Sequence, residues 1–446
     1  MSAKAITNKI LKIESENELF QWEINGIFVW EIIRHKIYSI GLYQTLESDN
    51  KNKNASYRYI LYYLNLKKIF NAVKKLANSI VLNPFFNKNK VDALVFESSR
   101  KLVFNESYID PYTKFMCDDF IKTNKSFTKY QSSYAFDKLA KRDFSTKSID
   151  LIYLLSALRS KFSSFVFTNT QLSKIEAIEK IFNQELALKL NLKILIENEM
   201  KLFVNTGVFF DGLLKRKKPK EIYIVNFCDK APLIAKAKEN GIKVIDIQHG
   251  LISSNDIIYH YPNVKEGSLC YFPDQFLVWS TIWSGISKIP LTNENIIAYG
   301  NSYLEQQKKK YSHIAKNKKQ IIIISQPALT DKIATETLLN INNFKSYKVL
   351  YKLHPIEYSL ESKNEIISEL KKINNITFVG QNEDLYKLLA ESYFVIGVGS
   401  TVLFEALSFD CDVQVFDLPG IEWMEPFLNK GVMKLYNQEL FCKAFA

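Results

Sequence analysis

A short glycine turn followed by two hydroxyl side chains is the stretch of this sequence best suited to binding an anion. The apolar run at residues 394–396 is typical of a buried parallel strand, and Gly397 and Gly399 allow a tight turn and a close approach of backbone to a ligand. Ser400 and Thr401 then stand where a helix is expected to begin. Free N–H groups and the positive end of the helix dipole favour anions there. The pattern predicts an anion site, although an ordinary turn with a good helix cap has the same local sequence.

A histidine–proline pair ends another predicted strand. Residues 347–353 are followed by His354 and Pro355, and the proline fixes the backbone so that the imidazole is presented at the edge of the sheet. With Lys352 nearby, this histidine can neutralise a departing phosphate. The alternative is a capped strand end with a hydrogen-bonded histidine.

A second histidine follows the predicted strand Lys243–Ile247, in the sequence Gln248-His249-Gly250. The unperturbed pKa of histidine lies near neutrality, which suits it to take a proton from an acceptor hydroxyl. The glycine after it lets another group come close. A role in orienting the loop is the alternative.

Two carboxylates also follow predicted strands or turns, and either is a candidate base if His249 is not. Asp229 comes shortly after the strand Glu221–Val225, and Asp110 stands in an Asp-Pro turn. No group of His, Cys and Asp side chains has the spacing of a metal site. The sequence therefore predicts chemistry without a metal, in which side chains and helix dipoles meet the phosphate charge.

Strands and helices alternate along most of the chain, which predicts an α/β fold with parallel sheets. One series runs through residues 91–305 and another through 319–446, with an exposed lysine-rich linker expected at 308–319. A helical, basic extension is expected over 1–90, and a long helical stretch over 175–213. Ligands of such sheets bind at the carboxyl ends of the strands, and two facing sheets would place the site in a cleft.

Composition and charge favour a cytoplasmic protein with a peripheral contact to the membrane. The chain has 446 residues, a net charge of +12, scattered cysteines and no apolar run long enough to span a membrane, which predicts a cytoplasmic protein. Between residues 51 and 90 there are nine Lys or Arg, no Asp or Glu, and many aromatic residues. This segment predicts a peripheral contact with the anionic inner-membrane surface. A solvated helical face is the alternative, and nucleic acid ranks lower because no nucleic-acid motif accompanies the charge.

Together, the Gln-His-Gly motif at 248–250, the His-Pro motif and the Gly-Ser-Thr motif resemble bacterial GT-B glycosyltransferases that build surface polysaccharides. The likeness is greatest to enzymes using CMP-activated ulosonic or nonulosonic acids, such as capsular Kdo transferases and polysialyltransferases, and it covers about residues 220–410. In those families a His-Pro motif and a Ser-Ser or Ser-Thr motif contact the CMP phosphate. This chain departs from the sialyltransferases at the base, where Gln-His-Gly replaces an acidic-acidic-Gly motif.

The resemblance implies a GT-B fold of two Rossmann-like domains facing a cleft, and a metal-independent glycosyltransferase without a cofactor. The N-terminal domain would bind an acceptor oligosaccharide, free or lipid-linked. Gln248 and Gly250 would lie on the acceptor side, and the base would be His249, Asp229 or Asp110. The C-terminal domain would bind the nucleotide sugar through Gln326, Lys352, His354, Pro355, Gly399, Ser400, Thr401 and Glu405.

Glu405 resembles the glutamate that holds the nucleotide ribose in many GT-B enzymes, although a solvent-facing helix glutamate is the alternative. Rival functions also remain. A CDP-polyol phosphotransferase of the teichoic-acid type carries an HG and an HP histidine, and a sugar-nucleotide 2-epimerase shares the fold. A non-catalytic scaffold for glycan or lipid would bind no nucleotide.

Overall fold

The chain forms two compact units, each built around a parallel sheet. The structure is a computed structural model that describes residues 2–49, 79–86, 89–104, 107–132, 146–327, 329–359 and 364–437. The first unit contains Ala5–His249 and Ile257–Gly300, and the second contains Asn301 onward with Gly250–Asp256 and Ser2–Lys4. Most of the basic segment at 51–90 lies outside the described residues. Within the described ranges, no helix combines the length and apolarity needed to cross a bilayer.

The first unit has a seven-stranded sheet. Its strands and two short hairpins are β1 Glu23–Ile24, β2 Ile27–Phe28, β3 Ala93–Phe96, β4 Leu102–Phe104, β5 Ser107–Ile109, β6 Phe127–Gln131, β7 Thr146–Ser148, β8 Glu221–Val225, β9 Lys243–Ile247, β10 Gln275–Val278 and β11 Ile296–Ala298. The sheet has the order β11-β10-β9-β8-β3-β6-β7, and all its neighbouring strands are parallel. β3 is wholly buried, as expected of a central strand covered by helices on both faces.

The helices of the first unit are α1 Ala3–Glu16, α2 Val29–Asp49, α3 Lys114–Lys122, α4 Asp150–Ser160, α5 Asn169–Glu185, α6 Leu192–Lys217, α7 Ala231–Glu239 and α8 Thr281–Ser284. The long helical stretch predicted over 175–213 is helical at both ends but is broken in the middle. The structure has α5 and α6 instead, and Ala187 between them takes a φ of 52°, which interrupts a right-handed helix. α1 and α2 share one core with α5 and α6, where Trp30 stacks on Phe182 at 5.5 Å between ring centroids.

The second unit has a six-stranded parallel sheet. Its strands are β12 Asn317–Ile324, β13 Lys348–Lys352, β14 Ile376–Phe378, β15 Ser392–Gly397, β16 Asp412–Val415 and β17 Lys434–Leu435, in the order β14-β13-β12-β15-β16-β17. Its helices are α9 Ser302–Lys310, α10 Thr330–Leu339, α11 Glu365–Leu370, α12 Leu385–Glu391, α13 Thr401–Ser408 and α14 Glu425–Asn429. The exposed linker expected at 308–319 is shorter than predicted, because α9 ends at Lys310 and β12 begins at Asn317. The predicted fold class, α/β with two parallel Rossmann-like sheets, is confirmed.

A buried ion pair joins the N-terminal helices to the rest of the first unit. Arg34 in α2 bonds Glu14 in α1, and the two side chains are only 4% and 2% exposed. Trp30 donates to the same carboxylate at 3.0 Å. The guanidinium also donates to the carbonyl of His260 at 2.7 Å and lies 4.0 Å from the ring centroid of Tyr261. A charge so enclosed is tolerated because the carboxylate and carbonyls replace its hydration.

Replacing Glu14 by Gln should therefore destabilise the first unit strongly. The change leaves the buried Arg34 without a counter-charge, a defect that typically costs about 3–5 kcal/mol. Urea unfolding followed by tryptophan fluorescence measures the loss. Lys12→Ala is the matched control, because the Lys12–Glu16 pair is 68% and 59% exposed and such pairs contribute about 0–1 kcal/mol. Equal unfolding midpoints for the two variants would contradict the role given to the buried pair.

Candidate functional site

The second sheet reverses its direction of growth beside its first strand. β12 lies between β13, which follows it in the chain, and β15, which comes two strands later. In doubly wound sheets the ligand crevice lies outside the carboxyl ends of the strands at such a reversal. Gln326 follows β12 and Gly399 follows β15, and the Gln326 side chain donates to the Gly399 carbonyl at 3.3 Å. Two of the predicted donor-side residues thus meet at the reversal.

The predicted anion site has the expected backbone geometry. Gly399 adopts a φ of +63°, and Ser400 caps α13 by accepting the N–H of Val402 at 3.3 Å. Ser400 is 6% exposed, whereas Thr401 is half-buried. Gly397 is required for packing, because a Cβ there would lie 3.2 Å from the carbonyl oxygen of Ile324. The helix start therefore stands at the carboxyl edge, next to the end of β12.

The His-Pro motif is fixed by a buried glutamate that was not predicted from the sequence. Glu357 is 4% exposed and accepts hydrogen bonds from the His354 N–H at 2.6 Å, the Ser325 hydroxyl at 2.7 Å and the Thr330 hydroxyl. The carboxylate thereby joins the ends of β12 and β13. The N–H of Ile356 points to Nδ1 of His354 at 3.4 Å, so the neutral ring would carry its proton on Nε2. An Nε2–H is suited to donate to a phosphate oxygen.

Lys352 already donates to protein acceptors, and Glu405 is buried rather than facing solvent. The Lys352 ammonium donates to the Tyr358 hydroxyl at 3.0 Å and to the Gly380 carbonyl at 3.1 Å, and burial lowers its pKa. Among the described residues, these two acceptors take two of its three donors. Glu405 is only 5% exposed, so the alternative of a solvent-facing helix glutamate is wrong. Pro355 is exposed at the loop turn after His354.

Trp423 is a residue of this region that sequence reasoning missed. A Cβ placed at Gly399 or at Gly420 would lie 3.7 Å from its ring. Its indole N–H is buried and has no hydrogen-bond partner within the described part of the chain. The signal available in the sequence was the Pro419-Gly420 turn after the last long strand, followed by an aromatic residue. The indole ring forms an apolar wall beside the predicted anion site.

The first sheet reverses in the same way, between β3 and β8. Asp229 stands just beyond the end of β8, with its side chain 64% exposed, and pairs with the buried ammonium of Lys230 at 2.6 Å. Nearby Asp229 also favours the protonated form of His249, which places the two predicted base candidates close together. Lys230 was not singled out from the sequence, because nothing in its local pattern marks it as buried.

His249 lies at the end of β9 against Tyr112. The two rings are edge-on, with centroids 6.5 Å apart, and the Tyr112 hydroxyl donates to the His249 carbonyl at 2.8 Å. Nδ1 of the histidine is buried and has no hydrogen-bond partner among the described residues. Burial lowers the pKa of His249 to about 4, although Asp229 acts in the opposite direction. The imidazole is therefore neutral near pH 7, but a pKa this low makes it a weaker base than the near-neutral value assumed from the sequence.

Gln248 and Gly250 flank this histidine in different ways. Gln248 is 1% exposed, and its side-chain and main-chain oxygens accept the backbone N–H and the indole N–H of Trp279 at 2.8 and 3.0 Å. Its contacts position the loop that carries His249. Gly250 has open space where a Cβ would stand, and it clusters with the second unit.

Asp110 is placed as a positioning group. It is 2% exposed and accepts hydrogen bonds from the Ser98 N–H at 2.5 Å, the Ser98 hydroxyl at 2.7 Å, the Tyr112 N–H at 2.8 Å and the Thr113 N–H at 3.1 Å. Burial raises its pKa, and the buried Lys101 acts against this effect. With its oxygens committed to these donors, Asp110 fixes the turn that brings Tyr112 to His249.

Comparison with known proteins gives a likeness of fold. No family model and no curated protein matches the chain. Among solved structures, UDP-GlcNAc 2-epimerase from Methanocaldococcus jannaschii is 11% identical with a TM-score of 0.45, over 79% of this chain and 91% of that one. The Neisseria meningitidis UDP-GlcNAc 2-epimerase bound to UDP-GlcNAc is 13% identical with a TM-score of 0.44, over 79% and 89%. The glycotransferase of kitacinnamycin is 10% identical with a TM-score of 0.43, over 78% and 86%.

Replacing Gly399 by Ala should destabilise the second unit. The positive φ costs an L-residue roughly 1–2 kcal/mol, and the added methyl would also touch Trp423. Thermal unfolding measured by circular dichroism should show a lower midpoint for this variant. Gly250→Ala is the control, because its Cβ enters open space and should change the midpoint little. A Gly399→Ala variant as stable as the wild type would mean that the turn relaxes to another conformation.

Proposed function

We propose that the chain is a glycosyltransferase that moves a sugar from a nucleotide donor to an acceptor glycan in bacterial surface-polysaccharide synthesis. The single observation that carries the proposal is the convergence at one sheet edge of a glycine turn, a capped helix start and a fixed histidine. Gln326 meets Gly399 there at 3.3 Å, and Glu357 holds His354 beside them. This set of donors is matched to a nucleotide phosphate.

In the proposed donor site, the phosphate rests on the start of α13. Ser400 and Thr401 supply hydroxyl and backbone donors, and Nε2 of His354 supplies another. These groups stabilise the charge that develops on the phosphate as its bond to the anomeric carbon breaks. Glu405 would hold the ribose and Trp423 would pack against the nucleotide. A CMP-activated ulosonic or nonulosonic acid is the donor implied by the sequence motifs.

In the proposed reaction, the acceptor hydroxyl attacks the anomeric carbon while the nucleotide phosphate departs with the bonding electrons. His249 takes the hydroxyl proton on a ring nitrogen; burial lowers its pKa and weakens it as a base, and the nearby Asp229 acts in the opposite direction. Asp229, close by and mostly exposed, is the alternative base. Asp110 and Gln248 act by positioning the loops around His249.

The donor site predicts which nucleotide binds and which residues bind it. CMP, CDP, UDP and GDP should be compared by thermal shift, since a ligand that binds only the native state raises the melting temperature. Ser400→Ala with Thr401→Ala should weaken binding of the preferred nucleotide, because each lost hydrogen bond to a charged group costs about 1.5–3 kcal/mol. Calorimetry on the folded variant measures this loss.

Ser408→Ala, at the opposite end of the same helix, is the matched control and should bind like the wild type. If the double variant is folded and its nucleotide affinity is unchanged, the phosphate does not rest on α13. If none of the four nucleotides binds, the scaffold alternative gains and the donor-site proposal fails.

The two histidines should differ in what they change. His249→Ala should lower turnover by ~10²–10⁴, the usual contribution of a general base, with nucleotide affinity near that of the wild type. His354→Ala should lower both turnover and nucleotide affinity, because its partner is present before and during the reaction. His313→Ala, an exposed histidine of the second unit, is the control. Near-normal turnover in His249→Ala would transfer the base to Asp229.

Product analysis separates transfer from its rivals. Transfer requires an acceptor and releases the nucleotide part of the donor. If NMR shows that a nucleotide sugar is converted to its C2 epimer in the absence of any acceptor, the chain is instead an epimerase. Release of CMP from a CDP-polyol, with a phosphodiester product, would indicate a polyol-phosphate transferase.

A further inference from the structure

The loop after α4 displays two apolar side chains almost completely to solvent. Phe162 is 91% exposed and Val166 is 85% exposed. Large apolar side chains are usually buried, so the informative feature is that two stand within one short loop. Earlier on α4, Leu154 and Leu158 lie one turn apart and are 40% and 47% exposed. We call these four side chains the α4 patch.

The display of Phe162 and Val166 is fixed by the residues between and beside them. Phe165 and Phe167 point the other way and pack against the core shared by the helices. Asn205 of α6, which is 3% exposed, donates to the Ser163 hydroxyl at 3.0 Å. The loop is therefore held to α6 on one side, and its apolar tips cannot turn inward without breaking these contacts.

The charged side chains on the segment that carries the α4 patch are all basic. Arg159 and Lys161 are both exposed, and no Asp or Glu occurs from residue 151 to residue 175. Basic side chains next to exposed aromatic and aliphatic ones are typical of protein surfaces that rest on anionic lipid. The apolar groups enter the boundary of the acyl chains, and the cations stay at the headgroups.

The exposed area argues against a second copy of the chain as the occupant. Four side chains of this size, two of them partly buried, expose on the order of 400 Å². A standard interface buries about 800 Å² on each partner. A lipid surface needs no matching area, because each inserted side chain gains transfer energy on its own.

We propose that the α4 patch, with Arg159 and Lys161, docks the protein on an anionic lipid bilayer. The proposal is independent of the nucleotide-sugar activity. Its residues, 154–166, are not those of the basic segment at 51–90. Inserted Phe162 and Val166 would supply the apolar part of the binding, and the two cations would supply its dependence on anionic lipid and salt.

The test is sedimentation of the full chain with two kinds of vesicle. One contains equal parts of phosphatidylcholine and phosphatidylglycerol, and the other contains phosphatidylcholine alone. The wild type should bind the anionic vesicles and lose binding as salt rises. Phe162→Ser with Val166→Ser should bind them at least tenfold more weakly. Arg159→Gln with Lys161→Gln should bind them several-fold more weakly and depend less on salt.

Ile121→Ser and Leu339→Ser are the matched controls, because these side chains are 64% and 72% exposed but lie elsewhere. Both should bind vesicles like the wild type, and all variants should melt at the wild-type temperature. Failure of the wild type to bind anionic vesicles would overturn the proposal. Full vesicle binding by the Phe162→Ser, Val166→Ser variant would also overturn it. So would a dimer of the wild type, seen by sedimentation velocity, if this variant abolishes the dimer and leaves vesicle binding unchanged. Nucleotide binding measured on the same variants keeps this outcome separate from the donor-site proposal.

Discussion

The order of the parallel strands is the constraint on which both candidate sites depend. In each sheet the chain starts with a central strand, builds to one side, and then crosses to build on the other. Helices that follow the two strands at the reversal must leave in opposite directions, and this opens a crevice at the carboxyl edge. Gln326 with Gly399 and Asp229 with His249 stand near such edges because of this topology. The strand order brings short motifs that are far apart in the sequence close together, and contacts such as the Gln326 hydrogen bond to Gly399 then join them.

Buried carboxylates then convert these approximate positions into fixed ones. Glu357 in the second unit and Asp110 in the first are both nearly inaccessible and both accept backbone and hydroxyl donors. Each fixes a loop that carries a candidate reactive group, His354 in one case and Tyr112 beside His249 in the other. A buried carboxylate is stable only while its hydrogen-bond donors stay in place. The loop that provides those donors is therefore held in one conformation.

The sequence predicted the sheets better than the contacts around them. The strands Glu221–Val225 and Lys243–Ile247 have their predicted bounds, because buried apolar runs with clear breakers are local signals. The interruption at Ala187 was missed, since no Gly or Pro marks it and the turn depends on packing between two helices. Glu357, Lys230 and Trp423 were missed for a similar reason. Each of these residues acts through contacts with residues distant in the chain, and a local sequence pattern does not predict such contacts.

The buried pair of Glu14 and Arg34 has a consequence for how the chain can be divided. A fragment that starts after α1 would keep the guanidinium among the carbonyls near Tyr261 but lose the Glu14 carboxylate that pairs with it. It would also uncover the face of α5 and α6 on which Trp30 and its neighbours pack. The opening helices are thus part of the folding unit of the first sheet. A shortened chain that kept both sheets would therefore lack a first domain able to fold on its own. A protease acting from the N-terminus should either leave α1 intact or degrade the whole first unit.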